Sequence, residues 1–128
     1  MLAVMLASSK LVAFAPTVDM AAAQRFYGTV LGLRAVDANP FATVYDANGT
    51  MLRVTAVEVL TPHPFTVLGW EVADIASAID GLVAAGVAFQ RFDGMTQDER
   101  GIWTTPGGEQ VAWFHDPDGN TLSLTQFG

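Results

Sequence analysis

The 128-residue sequence predicts an α+β fold in which two βαβββ modules form curled mixed sheets around a cleft. A repeat is the first reason. Asp46-Ala47-Asn48-Gly49-Thr50-Met51-Leu52-Arg53-Val54-Thr55 aligns without a gap on Asp116-Pro117-Asp118-Gly119-Asn120-Thr121-Leu122-Ser123-Leu124-Thr125 at an offset of 70 residues, and self-similarity of this kind marks a duplicated architecture. The second reason is a matched pair of helix units, Asp19 to Gly32 and Asp74 to Gly86, with spans of 13 and 12 residues. The third is a shortage of helix. One helix for a sheet of about four strands covers only one sheet face, and the other must meet or curl toward something. Curled apolar sheets leave a cup, the usual form of a small-molecule site.

Each element has a local cause. Leu11 to Val18 is an apolar, β-rich run that ends at Asp19, whose carboxylate can accept the free N–H groups of a first helical turn. Ala22 or Ala23, Phe26 and Val30 then form a helical stripe, and Gly32 supplies the left-handed stop. Strands are expected at Leu33–Asp37 and Ala42–Tyr45, followed by the Asp46 turn and a strand through Val57. Asp and Asn beside Gly favour a tight turn because their short side chains bond nearby backbone. Residues 58–64, containing Thr61-Pro62-His63-Pro64, read as a linker whose prolines oppose regular pairing.

The second module, 65–128, repeats the plan of the first, 10–57, with 1–9 as an N-terminal extension. Phe65 to Ala73 is its first strand, and Ile75, Ile79, Leu82 and Val83 form its helix stripe after the Asp74 cap, stopped at Gly86. Strands are expected at Ala88–Phe92, Gly101–Thr105 and Val111–His115, the last two joined by Pro106-Gly107-Gly108. The polar loop Asp93 to Arg100 has no counterpart in the first half.

Composition excludes several classes. With 51% hydrophobic and 15% charged residues, the chain is too apolar for intrinsic disorder. A net charge of −7 argues against a nucleic-acid or anionic-membrane binder. Cysteine is absent, so there is no disulfide framework, thiolate metal site or thiol nucleophile. The first ten residues lack the basic start and long apolar run of a secretory signal, Met5 is a second candidate start, and no run suffices for a transmembrane helix. A cytoplasmic protein is expected.

Two phrases carry a family resemblance. Phe26-Tyr27-Gly28-Thr29-Val30-Leu31-Gly32-Leu33 and Phe114-His115-Asp116-Pro117-Asp118-Gly119-Asn120 are similar to the Phe-Tyr-x-x-x-Leu-Gly helix end and the Asp-Pro-Asp-Gly-Asn turn of the glyoxalase / bleomycin-resistance / extradiol-dioxygenase superfamily, the vicinal oxygen chelate proteins. The resemblance spans about Lys10 to Phe127. It implies a homodimer in which modules complete one another's cups. It also implies a function within a set of metal-dependent lyases, isomerases, dioxygenases and thiol transferases, and of metal-free binding proteins. Fold alone does not choose among these.

The family's metal ligands come from the first and last strand of each module, and the positions carried over here are Val12, Arg53, Val67 and Ser123. Valine donates nothing, serine is a poor donor, and a guanidinium repels a cation, whereas a divalent site needs about three good donors. Shifting the alignment by one or two residues brings in no His, Asp or Glu. No metal and no cofactor are therefore expected. Asp116 and Asp118 do not make a calcium loop, because Gly119 comes fourth and no Glu follows. His115 reads as a strand-end residue and His63 as a loop residue.

Candidate ligand-binding residues are Val12, Phe14, Arg53, Val67, Trp103, Trp113 and Ser123. Phe14 shares the face of Val12, and Trp103 and Trp113 lie either on the cup wall or in the core; Trp70 alternates onto the helix side. Arg53 either pairs with an acid such as Glu71 or anchors a ligand. The favoured function is a small-molecule binder of the bleomycin-resistance kind, taking an apolar or cationic ligand in a sequestering or resistance role. The alternative is an unconventional lyase, isomerase or dioxygenase-like enzyme using Glu71 as catalytic carboxylate, or Arg53.

Overall fold

The computed structural model describes residues 6–128. The expectation about Met5 and most of the N-terminal extension therefore lies outside the described residues, apart from a short 3-10 turn at Leu6–Ser8. The first module runs β1 (Val12–Thr17), α1 (Met20–Gln24), β2 (Arg34–Ala38), β3 (Ala42–Ala47) and β4 (Thr50–Ala56). The second runs β5 (Thr66–Glu71), α2 (Ile75–Ala84), β6 (Trp103–Thr104), β7 (Gln110–His115) and β8 (Thr121–Gln126). Each module has one four-stranded mixed sheet, in the orders β1-β4-β3-β2 and β5-β8-β7-β6. In both, the first strand pairs parallel to the last and the other pairs are antiparallel. The sequence repeat is thus a repeat of wiring.

The helix starts follow the expected chemistry. Asp19 accepts the N–H of Ala22 and Asp74 that of Ser77, each at 3.1 Å, and Ser77 also donates its hydroxyl to Asp74. These bonds hold the Asp74 carboxyl below its ordinary pKa, the Ser77 backbone bond being the largest cause. Gly32 and Gly86 end the helical segments at φ of +76° and +100°, a region that L side chains avoid. The first helix differs from a regular one. After Gln24 it continues as a π-helical stretch, Arg25–Val30, in which the Leu31 N–H reaches the Phe26 carbonyl at 2.8 Å. Over this wider turn, Phe26 and Tyr27 are both buried.

One expected strand is corrected. Ala88–Phe92 is not a strand: Phe89 makes a single bridge to Phe114, and β6 is cut down to two residues. The inserted loop 93–100 is the cause. It divides between two short pieces the edge that β2 fills alone in the first module, and a side chain replaces the missing ladder. The Gln97 carboxamide accepts from the Phe92 N–H at 2.8 Å and donates to the carbonyls of Gln90 and Gly101.

Alternation along the strands determines which face is buried. Ala15, Leu52 and Val54 with Tyr27 of the first module, and Ala112, Phe114, Leu122 and Leu124 with Ile75 and Ile79 of the second, belong to one buried cluster that spans both modules. Phe26 lies 6.3 Å from Phe114 across the junction. Both sheets therefore bury their helix-bearing faces in a shared core. Residues of the opposite parity form two open faces, and these carry the candidate site residues.

The second Asp-Gly turn joins the modules. Asp116 is buried and accepts the Tyr27 hydroxyl at 2.7 Å, the Asn120 carboxamide at 2.8 Å, and the N–H groups of Asp118 and Asn120. Asn120 also donates to the Pro16 carbonyl at 2.9 Å, and the Val18 N–H donates to Asp118 at 2.9 Å. The first turn shows the same local frame without this role. Asp46 accepts the Gly49 N–H and pairs with exposed Arg34 at 3.2 Å. No helix among the described residues is long and apolar enough to cross a membrane.

Candidate functional site

On the open face of the first sheet, Phe14, Arg53 and Val44 are cross-strand neighbours, and Val12, Met51 and Asp46 form the next row. Phe14 is 57% exposed and Met51 43%, so apolar side chains stand in solvent here rather than in the chain's own core. Arg53 is half-buried among them, and its side chain has no ion pair or hydrogen bond among the described residues. A hollow of about 320 Å³ opens beside this patch, lined by Val12, Val36 and Met51 and rimmed by Arg34 and Asp46.

The second sheet presents the related face. Gly69, Ser123 and Trp113 form one row and Trp103 pairs with Val111 in the next. Gly69 is needed for close approach, since a Cβ there would stand 2.9 Å from the Ser123 hydroxyl oxygen. Trp103 and Trp113 are half-buried and stacked, with centroids 6.2 Å apart and planes at 30°. Phe92 meets Trp113 edge-on at 5.5 Å, and His63 lies flat against Phe65 at 5.3 Å. Phe65, Phe92, Met95, Trp113 and Thr121 enclose a hollow of about 250 Å³. The two tryptophans thus belong to the open face rather than to the shared core, whereas Trp70 packs against that core.

Phe65, Phe92 and Met95 are not among the site candidates that the sequence offers, and His63 reads there as a loop residue. Their signal is weak: Phe65 follows the proline linker, and Phe92 precedes the polar loop, where an aromatic residue at a segment end is hard to assign to a face. His115 is an exposed strand end, as its position suggests.

The four carried-over metal positions all lie on strands at the open faces. Val12 and Val67 line different hollows, and Arg53 and Ser123 line neither. Among the described residues no three His, Cys, Asp or Glu side chains converge to hold a metal ion, and Met1–Met5 contain none of these types. The donor chemistry present does not fit a divalent cation. Arg53 and Glu71 stand on different sheets and form no ion pair. Glu71 and Trp103 occupy opposite edge strands of the second sheet.

Two four-stranded mixed sheets, each wired as βαβββ and left unclosed, define a fold shared by binding proteins and enzymes alike. The chain belongs to the Glyoxalase/Bleomycin resistance protein/Dioxygenase superfamily, whose family profile matches residues 11–124. Comparison with curated proteins found no match. Among solved structures, a bleomycin-binding protein complexed with bleomycin is similar at TM-score 0.71 and 20% identity, covering 94% of this chain and 100% of that one. A superfamily member from Sphaerobacter thermophilus is similar at TM-score 0.68 and 24% identity, covering 91% and 97%. A lactoylglutathione lyase from Agrobacterium tumefaciens is similar at TM-score 0.69 and 17% identity, covering 93% of each chain. At these identities the likeness is one of fold.

Proposed function

We propose that this chain is a small-molecule-binding member of its superfamily that holds a flat, apolar or cationic ligand against the Trp103–Trp113 face without a resident metal. The stacked tryptophan pair on an open face carries this reading. Aromatic surfaces offer large contact area at low entropic cost and attract cations through their π faces. The −7 net charge adds a field that draws positive ligands. The bleomycin-binding neighbour lends support at the level of the fold, and a sequestering role fits a site built for contact rather than for proton transfer.

The protein acts in this reading as a homodimer. Phe14, Met51, Phe65 and Val67 are all exposed on the open faces of the single chain, and a second copy would cover them and deepen the hollows into cups. Arg53 then anchors a polar or anionic edge of the ligand.

The test is a titration of tryptophan emission with bleomycin and with the planar cation proflavine. Saturable quenching of the wild type is expected, weakened about tenfold by Trp113→Ala, the order of one lost aromatic contact. Quenching unchanged by Trp103→Ala and by Trp113→Ala would remove the proposed site. Retention of one stoichiometric metal ion per chain after purification and dialysis would overturn the metal-free reading.

A further inference from the structure

The hollow of about 250 Å³ beside Trp113 lies on the side of that residue away from Trp103. Register places it there. Trp103 pairs with Val111 in the row on one side of Trp113, whereas Thr121 and Thr66 share the row on the other and line the hollow. A flat ligand on the tryptophan pair would leave this space empty. Its volume falls below the ~300–1,000 Å³ of drug-sized sites, so it suits a head group rather than a whole planar molecule.

Its walls are aromatic residues from three separate segments, Phe65, Phe92 and Trp113. Phe92 stands at 89° to Trp113, so these two rings meet at a right angle. His63 lies flat on one face of Phe65 and stays outside the hollow. Met95 adds a polarizable thioether. The walls are held from behind. The Gln90 N–H donates to the Trp113 carbonyl at 2.8 Å, and the Met95 N–H to the Phe92 carbonyl at 3.2 Å. Pro62 seats the linker on the Asp116 turn so closely that a Cβ on Gly119 would stand 3.1 Å from it. A wall fixed before binding loses little freedom on binding.

The lining selects among head groups. Among the described residues no charged side chain lines the hollow, so nothing there holds an anion. A primary ammonium carries three N–H donors and would find only the hydroxyls of Thr66 and Thr121 as side-chain acceptors of its own kind. A quaternary ammonium has no N–H to satisfy, presents methyl groups to the rings, and has its charge drawn by their π faces. The net charge of −7 favours the same sign. We infer that this hollow is an aromatic cage for the trimethylammonium head of a small free molecule. It goes beyond the flat-ligand reading and shares Trp113 with it.

The experiment titrates the isotopically labelled full chain with choline, with its neutral isostere 3,3-dimethylbutan-1-ol, and with ethanolamine. Binding is followed by NMR on the Trp113 indole N–H and the backbone amides of residues 92–95. Choline should shift these signals saturably and bind about tenfold more tightly than dimethylbutanol, the order of two or three partly exposed cation–π contacts, with ethanolamine weakest. Phe92→Leu and Phe65→Leu keep apolar bulk but remove a π face. Each should cut the preference for choline over the alcohol to about threefold while circular dichroism stays unchanged. The two residues stand on separate segments, so a variant that fails to fold leaves the other as the test. Dimethylbutanol or ethanolamine matching choline, an unaltered preference in a folded variant, or the absence of a saturable choline shift would each overturn the proposal. Cosedimentation with phosphatidylcholine vesicles that choline does not compete away would assign the head group to a lipid surface and overturn the free ligand. Loss of proflavine quenching with the choline shifts intact would overturn only the tryptophan-face reading, and the reverse result only the cage.

Discussion

Tyr27 shows how much of one residue's role comes from distant sequence. It is fully buried, and its hydroxyl donates to Asp116, 89 positions away. Burial first, and then the neighbouring Asp116 carboxylate, raises its pKa far above the ordinary 10.0. The neutral phenol is therefore the folded form. Its contribution to stability is complete below pH 10 and is lost as the pH rises from there toward the raised value. Tyr27→Phe should cost about 1–3 kcal/mol in urea denaturation at pH 7, because Asp116 loses a donor in the interior. The alkaline loss of stability should also be shallower in this variant. The sequence marks both residues, Tyr27 in a helix-end phrase and Asp116 in a turn, but local spacing contains nothing that pairs them. Arg53 shows the converse. Its oddity on an apolar strand is plain from the sequence, whereas its lack of a partner is visible only once Glu71 is placed on the other sheet.

At the scale of elements, the helix starts are the most legible parts and the edge of the second sheet the least. Caps are local: Asp19 and Asp74 act within three residues of themselves. The α2 start has one long-range addition, the Ile75 N–H donating to the Gln126 side chain at 2.8 Å. Asp74→Ala should lower the melting temperature at pH 7. Because the folded carboxyl titrates below 3.8, the difference from wild type should persist above that pH and close as the pH falls through the folded value. The edge strand fails as a sequence prediction because Ala88–Phe92 has good strand composition, yet the loop 93–100 spends its hydrogen bonds elsewhere. Gln97→Ala removes three bonds that stand in for a ladder. Hydrogen exchange should then quicken at the Phe92 amide while β8 stays protected. Equal protection in both proteins would show that the carboxamide does not hold this edge.

For the whole molecule, the duplication predicts the architecture because a repeated pattern repeats its wiring. How the two halves pack is another matter, since alternation says which residues share a face but not which faces meet. The structure buries both helix-bearing faces together and leaves Phe14 and Trp113 on the outside, where the proposed second copy covers them. Phe14→Arg should therefore shift the mass measured by sedimentation equilibrium from twice the 13.6 kDa chain toward the single chain, with circular dichroism unchanged. A wild type that sediments as a monomer would refute the assembly. The candidate residues were legible as a set of positions on strands. The grouping of Trp103, Trp113, Phe92 and Phe65 into one aromatic wall needed the fold, because these residues come from four segments whose arrangement in space the sequence does not state.

The turn at Asp116 has a bearing on biosynthesis. The Tyr27 phenol and the Pro16 carbonyl find their mates 89 and 104 positions downstream, after the whole first sheet has been made. A nascent chain halted before Asp116 would present a complete first sheet with an unfinished interior, so acquisition of protease resistance during translation should come late and in one step.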